Sequence, residues 1–139
     1  YGVSTTERKQ RIEQMAERFG MEDSLNRQMV SYSHGMRQKM MVIAALVHNP
    51  PVWILDEPMT GLDPNAAYEL KKMMREHADA GNCVFFSTHV LEVAEKLCDK
   101  IIMIRKGKDI YQGTLDELET QHRNKSLEEI FVEMTHEEF

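Results

Sequence analysis

Asp56 and Glu57 stand side by side at the end of the apolar run Val52-Trp53-Ile54-Leu55, with Pro58 directly after them. A run without polar alternation, bounded by turn residues, reads as a strand covered on both faces, as in a parallel sheet. Ligands of open α/β sheets gather at the carboxyl ends of such strands. Adjacent side chains at a strand end point different ways, which suits two tasks. Asp56 can orient a Mg²⁺ through its water shell while Glu57 positions an attacking water. A plain polar turn accounts for the same dipeptide equally well when it is taken alone.

Three further segments bear on that balance. A second apolar run, Cys83-Val84-Phe85-Phe86, ends in Ser87-Thr88-His89, which brings an imidazole to the same edge of the sheet. A neutral His89 there can hydrogen-bond a phosphate oxygen, although a lone histidine is more often structural. Gly61-Leu62-Asp63-Pro64 follows the carboxylate pair, and Asp63 by itself reads as a helix cap. Upstream, Tyr32-Ser33-His34-Gly35-Met36-Arg37-Gln38-Lys39 opens a helix, and a helix start with a hydroxyl and a glycine is a natural anion site. Ser33 as a simple cap is the competing reading.

The elements that must position these residues follow from periodicity and punctuation. Ile12, Met15, Ala16 and Phe19 recur at helical spacing and Gly20 follows, predicting a helix over 7–19. A second helix is predicted over 35–47, buried at its far end because it turns apolar on nearly all sides. After Asn49-Pro50-Pro51 come the strand at 52–55, a helix from Asp63-Pro64 to Gly81 and the strand at 83–87. A helix at 90–98, a hairpin of 101–104 with 110–112 across Lys106-Gly107-Lys108, and helices at 115–119 and 127–134 complete an α/β chain.

Composition excludes several classes. The chain has 139 residues, enough for one real core, with 42% hydrophobic and 29% charged residues. Its longest apolar stretch, Met40 to Val47, is far short of the roughly 20 residues of a membrane-spanning helix. The net charge of -6 comes entirely from residues 115–139, which hold eight acidic and two basic side chains. No basic stripe is present, so nucleic acid is not expected as a partner. Cys83 and Cys98 form no Cys-x-x-Cys pair, and both are expected to be reduced, buried and structural. The chain opens at Tyr1 without an initiator methionine or a secretory pattern, as a piece of a longer protein would.

In their order and spacing these segments resemble the ATP-binding-cassette (ABC) family, over about residues 13–118. Ser33-His34-Gly35-Met36-Arg37-Gln38-Lys39 resembles its signature motif, Val52 to Glu57 its Walker B segment, Gly61-Leu62-Asp63 its D-loop and His89 its switch histidine. The Gly-Met-Arg-Gln run is similar to that of exporter-type (ABC-2) ATPase subunits. The implied fold is the carboxyl-terminal part of a RecA-like P-loop NTPase sheet with part of the ABC α-helical subdomain. Residues 1–48 would be the helical part, 49–114 the core part and 115–139 closing helices.

The resemblance also implies roles. Asp56 would hold Mg²⁺, Glu57 would be the general base of ATP hydrolysis, and His89 would contact the γ-phosphate. Ser33 and Gly35 would bind the nucleotide of a second ATPase subunit, and Asp63 would signal across a head-to-tail dimer. The implied partner is a separate integral membrane permease, which would hold the subunit on the cytoplasmic face.

The sequence departs from the family in two ways. Tyr32, His34 and Met36 replace three residues of Leu-Ser-Gly-Gly-Gln. No Gly-x-x-x-x-Gly-Lys-Ser/Thr occurs, since Gly107-Lys108 is followed by Asp109, and the Q-loop is absent too. Tight ATP binding and hydrolysis are therefore not expected of these residues alone, and an open edge at 83–87 would favour self-association. The alternatives are a non-transport ABC ATPase and a catalytically silent binding module. A Ser-His-Asp hydrolase is weaker, because no Gly-x-Ser-x-Gly elbow exists.

Overall fold

The computed structural model describes residues 2–122 and 125–136, and the acidic Glu137 and Glu138 lie outside them. It divides into two compact units, residues 1–87 and 88–139.

The first unit begins with α1 (Thr5–Phe19), entered through a capping box in which Ser4 and Glu7 satisfy each other's backbone amides. Gly20 ends it in the left-handed conformation, at φ 63. Met15, Ala16 and Phe19 form its buried face. Two short 3₁₀ turns lead to α2 (His34–Leu46), where the Ser33 hydroxyl accepts from the Met36 amide. Its far end is buried as expected, through the stripe Val42, Ile43 and Leu46, while Met41 on another side stays 62% exposed.

β1 (Val52–Asp56) and β2 (Cys83–Ser87) pair in parallel, Val52 opposite Cys83 through Asp56 opposite Ser87. Between them runs α3 (Pro64–Asp79), capped by Asp63 and started by Pro64. α3 packs on β2 and on α1, and its Leu70, Met73, Met74 and His77 are buried. The His77 ring stacks on Trp53 at 4.1 Å between centroids, 14° from parallel.

Only the face carrying Trp53 is covered in this way. Val52 (49% exposed), Ile54 (76%) and Phe85 (58%) line the other face, and Cys83 joins them in the open. The expected two-sided burial of both strands, and the burial of Cys83, are thereby corrected. The apolar run does encode a strand, but no helix of the described unit lies over its second face.

The second unit holds α4 (Leu91–Leu97), the antiparallel pair β3 (Lys100–Arg105) and β4 (Lys108–Thr114), α5 (Leu115–Gln121) and α6 (Leu127–His136). Lys106 and Gly107, both at positive φ, make the hairpin turn. Ile101 and Met103 alternate inward from β3 onto Leu115, Leu118, Leu127 and Ile130. Thr114 and Glu117 form a second capping box at the start of α5.

A candidate nucleotide site at the end of β1

The carboxyl end of β1 is built around one serine. The Ser87 hydroxyl, at the matching end of β2, donates to an Asp56 carboxylate oxygen and accepts from the Glu57 amide at 3.0 Å. Parallel register makes this possible by setting Asp56 and Ser87 level with each other. Sequence reasoning had no reason to single Ser87 out in this role, because the link depends on which strands pair and in what register.

Glu57 adopts φ 43, a left-handed conformation uncommon for a residue with a side chain. Such backbone costs about 1–3 kcal/mol and persists where the surroundings enforce it. Here the Ser87 hydroxyl fixes its amide, and its carbonyl accepts from the Thr60 amide at 3.0 Å. The chain therefore turns sharply after Asp56, leaving Asp56 exposed and Glu57 half-buried on either side of the corner. One exposed carboxylate fits Mg²⁺, which commonly takes only one or two protein carboxylates and completes its shell with phosphates and water.

The amino terminus of α2 lies against the Gly61 turn. A Cβ on Gly35 would meet the Gly61 carbonyl oxygen at 3.1 Å, and one on Gly61 would meet His34 Nε2 at 2.9 Å. A side chain at Gly35 would have to push the Gly61 carbonyl back by a few tenths of an ångström, and Gly61 is favoured by its φ of 79 as well. Lys39 Nζ lies 2.6 Å from Asp63 Oδ2, and Asp63 Oδ1 accepts from the Ala66 amide at 3.0 Å. Those two contacts, Lys39 first, hold the Asp63 carboxyl below its ordinary range. The stabilisation from this pair is present above the usual carboxylate range and is lost as pH falls through the lowered value.

Tyr32, a departure from the expected leucine, is 4% exposed and donates its hydroxyl to the Ser24 carbonyl, so it anchors the segment from inside. The structure thus brings Asp56 and Glu57 together at one corner, and Ser33, Gly35 and Asp63 at another place in the same unit. His89 is exposed in the second unit, two positions along the chain from Ser87.

Gly61→Ala is expected to destabilise the chain by about 1–2 kcal/mol through its left-handed backbone. The double variant Gly61→Ala/His34→Ala should recover only the steric share. Urea denaturation of the two variants checks this, and equal stability of Gly61→Ala and the parent would contradict it.

Residues 2–60 match the ABC transporter family. A solved structure described as the ATP-binding subunit of an ABC transporter superposes with a TM-score of 0.89 at 37% identity, covering 97% of this chain and 57% of that one. The chain belongs to the ABC transporter ATP-binding protein family. Among its relatives, the ABC transporter ATP-binding protein NatA of Bacillus subtilis is 39% identical over 132 residues, 95% of this chain and 54% of that protein. EcsA, an ABC-type transporter ATP-binding protein from the same organism, is 36% identical over 99% of this chain and 57% of its own length. The daunorubicin/doxorubicin resistance ATP-binding protein DrrA of Streptomyces peucetius is 35% identical over 86% of the chain and 36% of its own length. The chain spans about half the length of NatA and EcsA. The ABC fold accounts for the mixed α/β architecture with a parallel strand pair carrying the carboxylates. No helix among the described residues of this ABC chain is long and apolar enough to cross a membrane.

Proposed function

We propose that this chain is part of the nucleotide-binding subunit of an ABC transporter, one that couples ATP binding and hydrolysis to transport through a separate membrane permease. The single observation that carries the reading is the corner after β1, where Ser87 ties Asp56 and the Glu57 backbone together. In the proposed site Asp56 holds Mg²⁺ and Glu57 positions and deprotonates the attacking water. His89 hydrogen-bonds the γ-phosphate. The bound cation would supply charge neutralisation between the β- and γ-phosphates.

Ser33 and Gly35 face the nucleotide of a second subunit in a head-to-tail dimer, and Asp63 lies at the crossing between subunits. The helix start at Ser33 supports this, because free amides and the helix dipole favour an anion there. Residues 1–48 act as the helical part, 49–114 as the nucleotide-facing core and 115–139 as closing helices. The exporter-type reading rests on the Gly35-Met36-Arg37-Gln38 run. A place on the cytoplasmic face of the membrane follows from the permease partner.

These 139 residues contain no Gly-x-x-x-x-Gly-Lys-Ser/Thr segment. Without that amide cradle and its lysine, most triphosphate binding energy is missing. The polypeptide alone is expected to release no phosphate from ATP above background and, with Val52, Ile54 and Phe85 exposed, to self-associate. A phosphate-release assay is the test. Turnover by the isolated chain that Glu57→Gln abolishes would overturn the proposal for the chain alone.

A further inference from the structure

Lys39 has no role in any reading of the motifs, yet its ammonium joins two other elements of the first unit. Its side chain is 14% exposed and its ammonium lies between two acceptors from different elements. One is Asp63 Oδ2 at 2.6 Å, on the residue that caps α3. The other is the Phe19 carbonyl at 3.1 Å, one of the terminal carbonyls of α1 that have no partner within their own helix. A largely covered ammonium is stable only when its donors are used, and this one meets a carboxylate and a helix end, both favourable for a cation.

The position of Lys39 on α2 gives those contacts a consequence. It stands one turn after Gly35 and one turn before Val42 and Ile43, on the stripe by which α2 is buried. The Gly61 turn touches α2 at Gly35 and His34 and is tied to it again at Lys39. Within the turn, the Thr60 N–H donates to the Glu57 carbonyl at 3.0 Å and the Leu62 N–H to the Met59 carbonyl at 3.2 Å. An exposed turn closed by such short-range bonds takes its position in the unit from what holds it at its ends. One of those ends is Glu57 and the other is Asp63.

We propose that Lys39 is a positioning residue which locks the Gly61-Leu62-Asp63 turn to the amino-terminal half of α2, so that these two segments move as one body. The inference deepens the proposed dimer reading, in which Ser33 and Gly35 on one segment and Asp63 on the other face a second subunit. A displacement of either would then be carried to the other without any change in Asp56 or Glu57.

The test uses the 139-residue chain and needs no nucleotide. In Lys39→Met, amide exchange at Thr60 and Leu62 is expected to quicken about tenfold while the amides of Ile43 and Leu70 stay as slow as in the parent. The Asp63 carboxyl, followed by carbon NMR against pH, should titrate higher than in the parent, towards the ordinary carboxylate range. Lys39→Arg should bring the exchange rates back to within about threefold and keep the low titration, because a guanidinium can make the same pair. Unchanged exchange at Thr60 and Leu62 in a folded Lys39→Met would overturn the proposal, as would failure of Lys39→Arg to restore them. Should Lys39→Met not fold, Asp63→Asn decides. It keeps a capping side chain but removes the charge, and unchanged exchange in that variant overturns the proposal equally. Failure of the nucleotide reading would show as undiminished ATP turnover of Glu57→Gln in an ATP-hydrolysing assembly that adds a phosphate-binding loop to this chain, a result that leaves these exchange rates untouched.

Discussion

Glu57→Gln, in an ATP-hydrolysing assembly that contains this chain together with a phosphate-binding loop, is expected to lower ATP turnover about 10²–10⁴-fold, the usual contribution of a positioned general base. The substitution is nearly isosteric. It leaves the backbone corner intact, because the contacts to Ser87 and Thr60 are made by the Glu57 amide and carbonyl rather than by its side chain. Nucleotide affinity should therefore change much less than turnover. The distinction separates a base from a structural residue: a kcat loss with nearly constant KM marks an interaction made in the transition state, whereas a raised KM alone marks binding. Steady-state kinetics of the purified assembly read both. Full activity in Glu57→Gln would remove the catalytic role from Glu57.

Trp53→Ala should unfold the first unit more readily by about 3–5 kcal/mol, the range for removing a buried large aromatic. Trp53 is 6% exposed and its ring lies flat against His77, so truncation both empties volume and strips the covered face of β1. Its indole nitrogen, like His77 Nε2, is buried without a hydrogen-bond partner. Trp53→Phe removes that unpaired donor and keeps a stacking ring, and is expected to cost clearly less than Trp53→Ala. Circular dichroism in urea is the appropriate measurement, since the chain has a single tryptophan and its fluorescence disappears with the substitution. Equal losses in the two variants would show that the stack contributes little. The result also bears on the site, because Trp53 lies three residues before Asp56 on the same strand.

The element plan was readable because punctuation and periodicity agree. Ser33 and Asp63 cap helices where expected, and Gly20 and Gly107 mark a helix end and a hairpin turn, whereas the Ser4 and Thr114 capping boxes were not singled out and α1 starts at Thr5 rather than at Glu7. Burial was less legible. The runs Val52 to Leu55 and Cys83 to Phe86 are apolar at every position, and such a run specifies a strand without specifying whether a second layer lies over it. Ile54 and Phe85 are therefore exposed where burial was expected, and Cys83 with them.

For the candidate site, Asp56, Glu57, Ser33, Gly35, Asp63 and His89 are proposed from residue type and neighbourhood. Ser87 and Lys39 were not, because their partners lie 31 positions away in one case and across α1 and the α3 cap in the other. One signal for Lys39 does exist in the sequence. It falls on the stripe shared with Val42, Ile43 and Leu46, and a charged residue on a buried stripe requires a partner. The αL backbone of Glu57 left no trace, since glutamate has no preference for that conformation.

Paramagnetic broadening by Mn²⁺ with a slowly hydrolysed ATP analogue, in the same assembly, tests most directly that a nucleotide-bound cation sits at the end of β1. Resonances of Asp56, Glu57 and Ser87 should broaden on addition of the manganese complex and sharpen again when excess Mg²⁺ replaces it. Broadening confined to other surfaces, with those three residues unaffected at saturating nucleotide, would contradict the assignment of β1 as the catalytic strand.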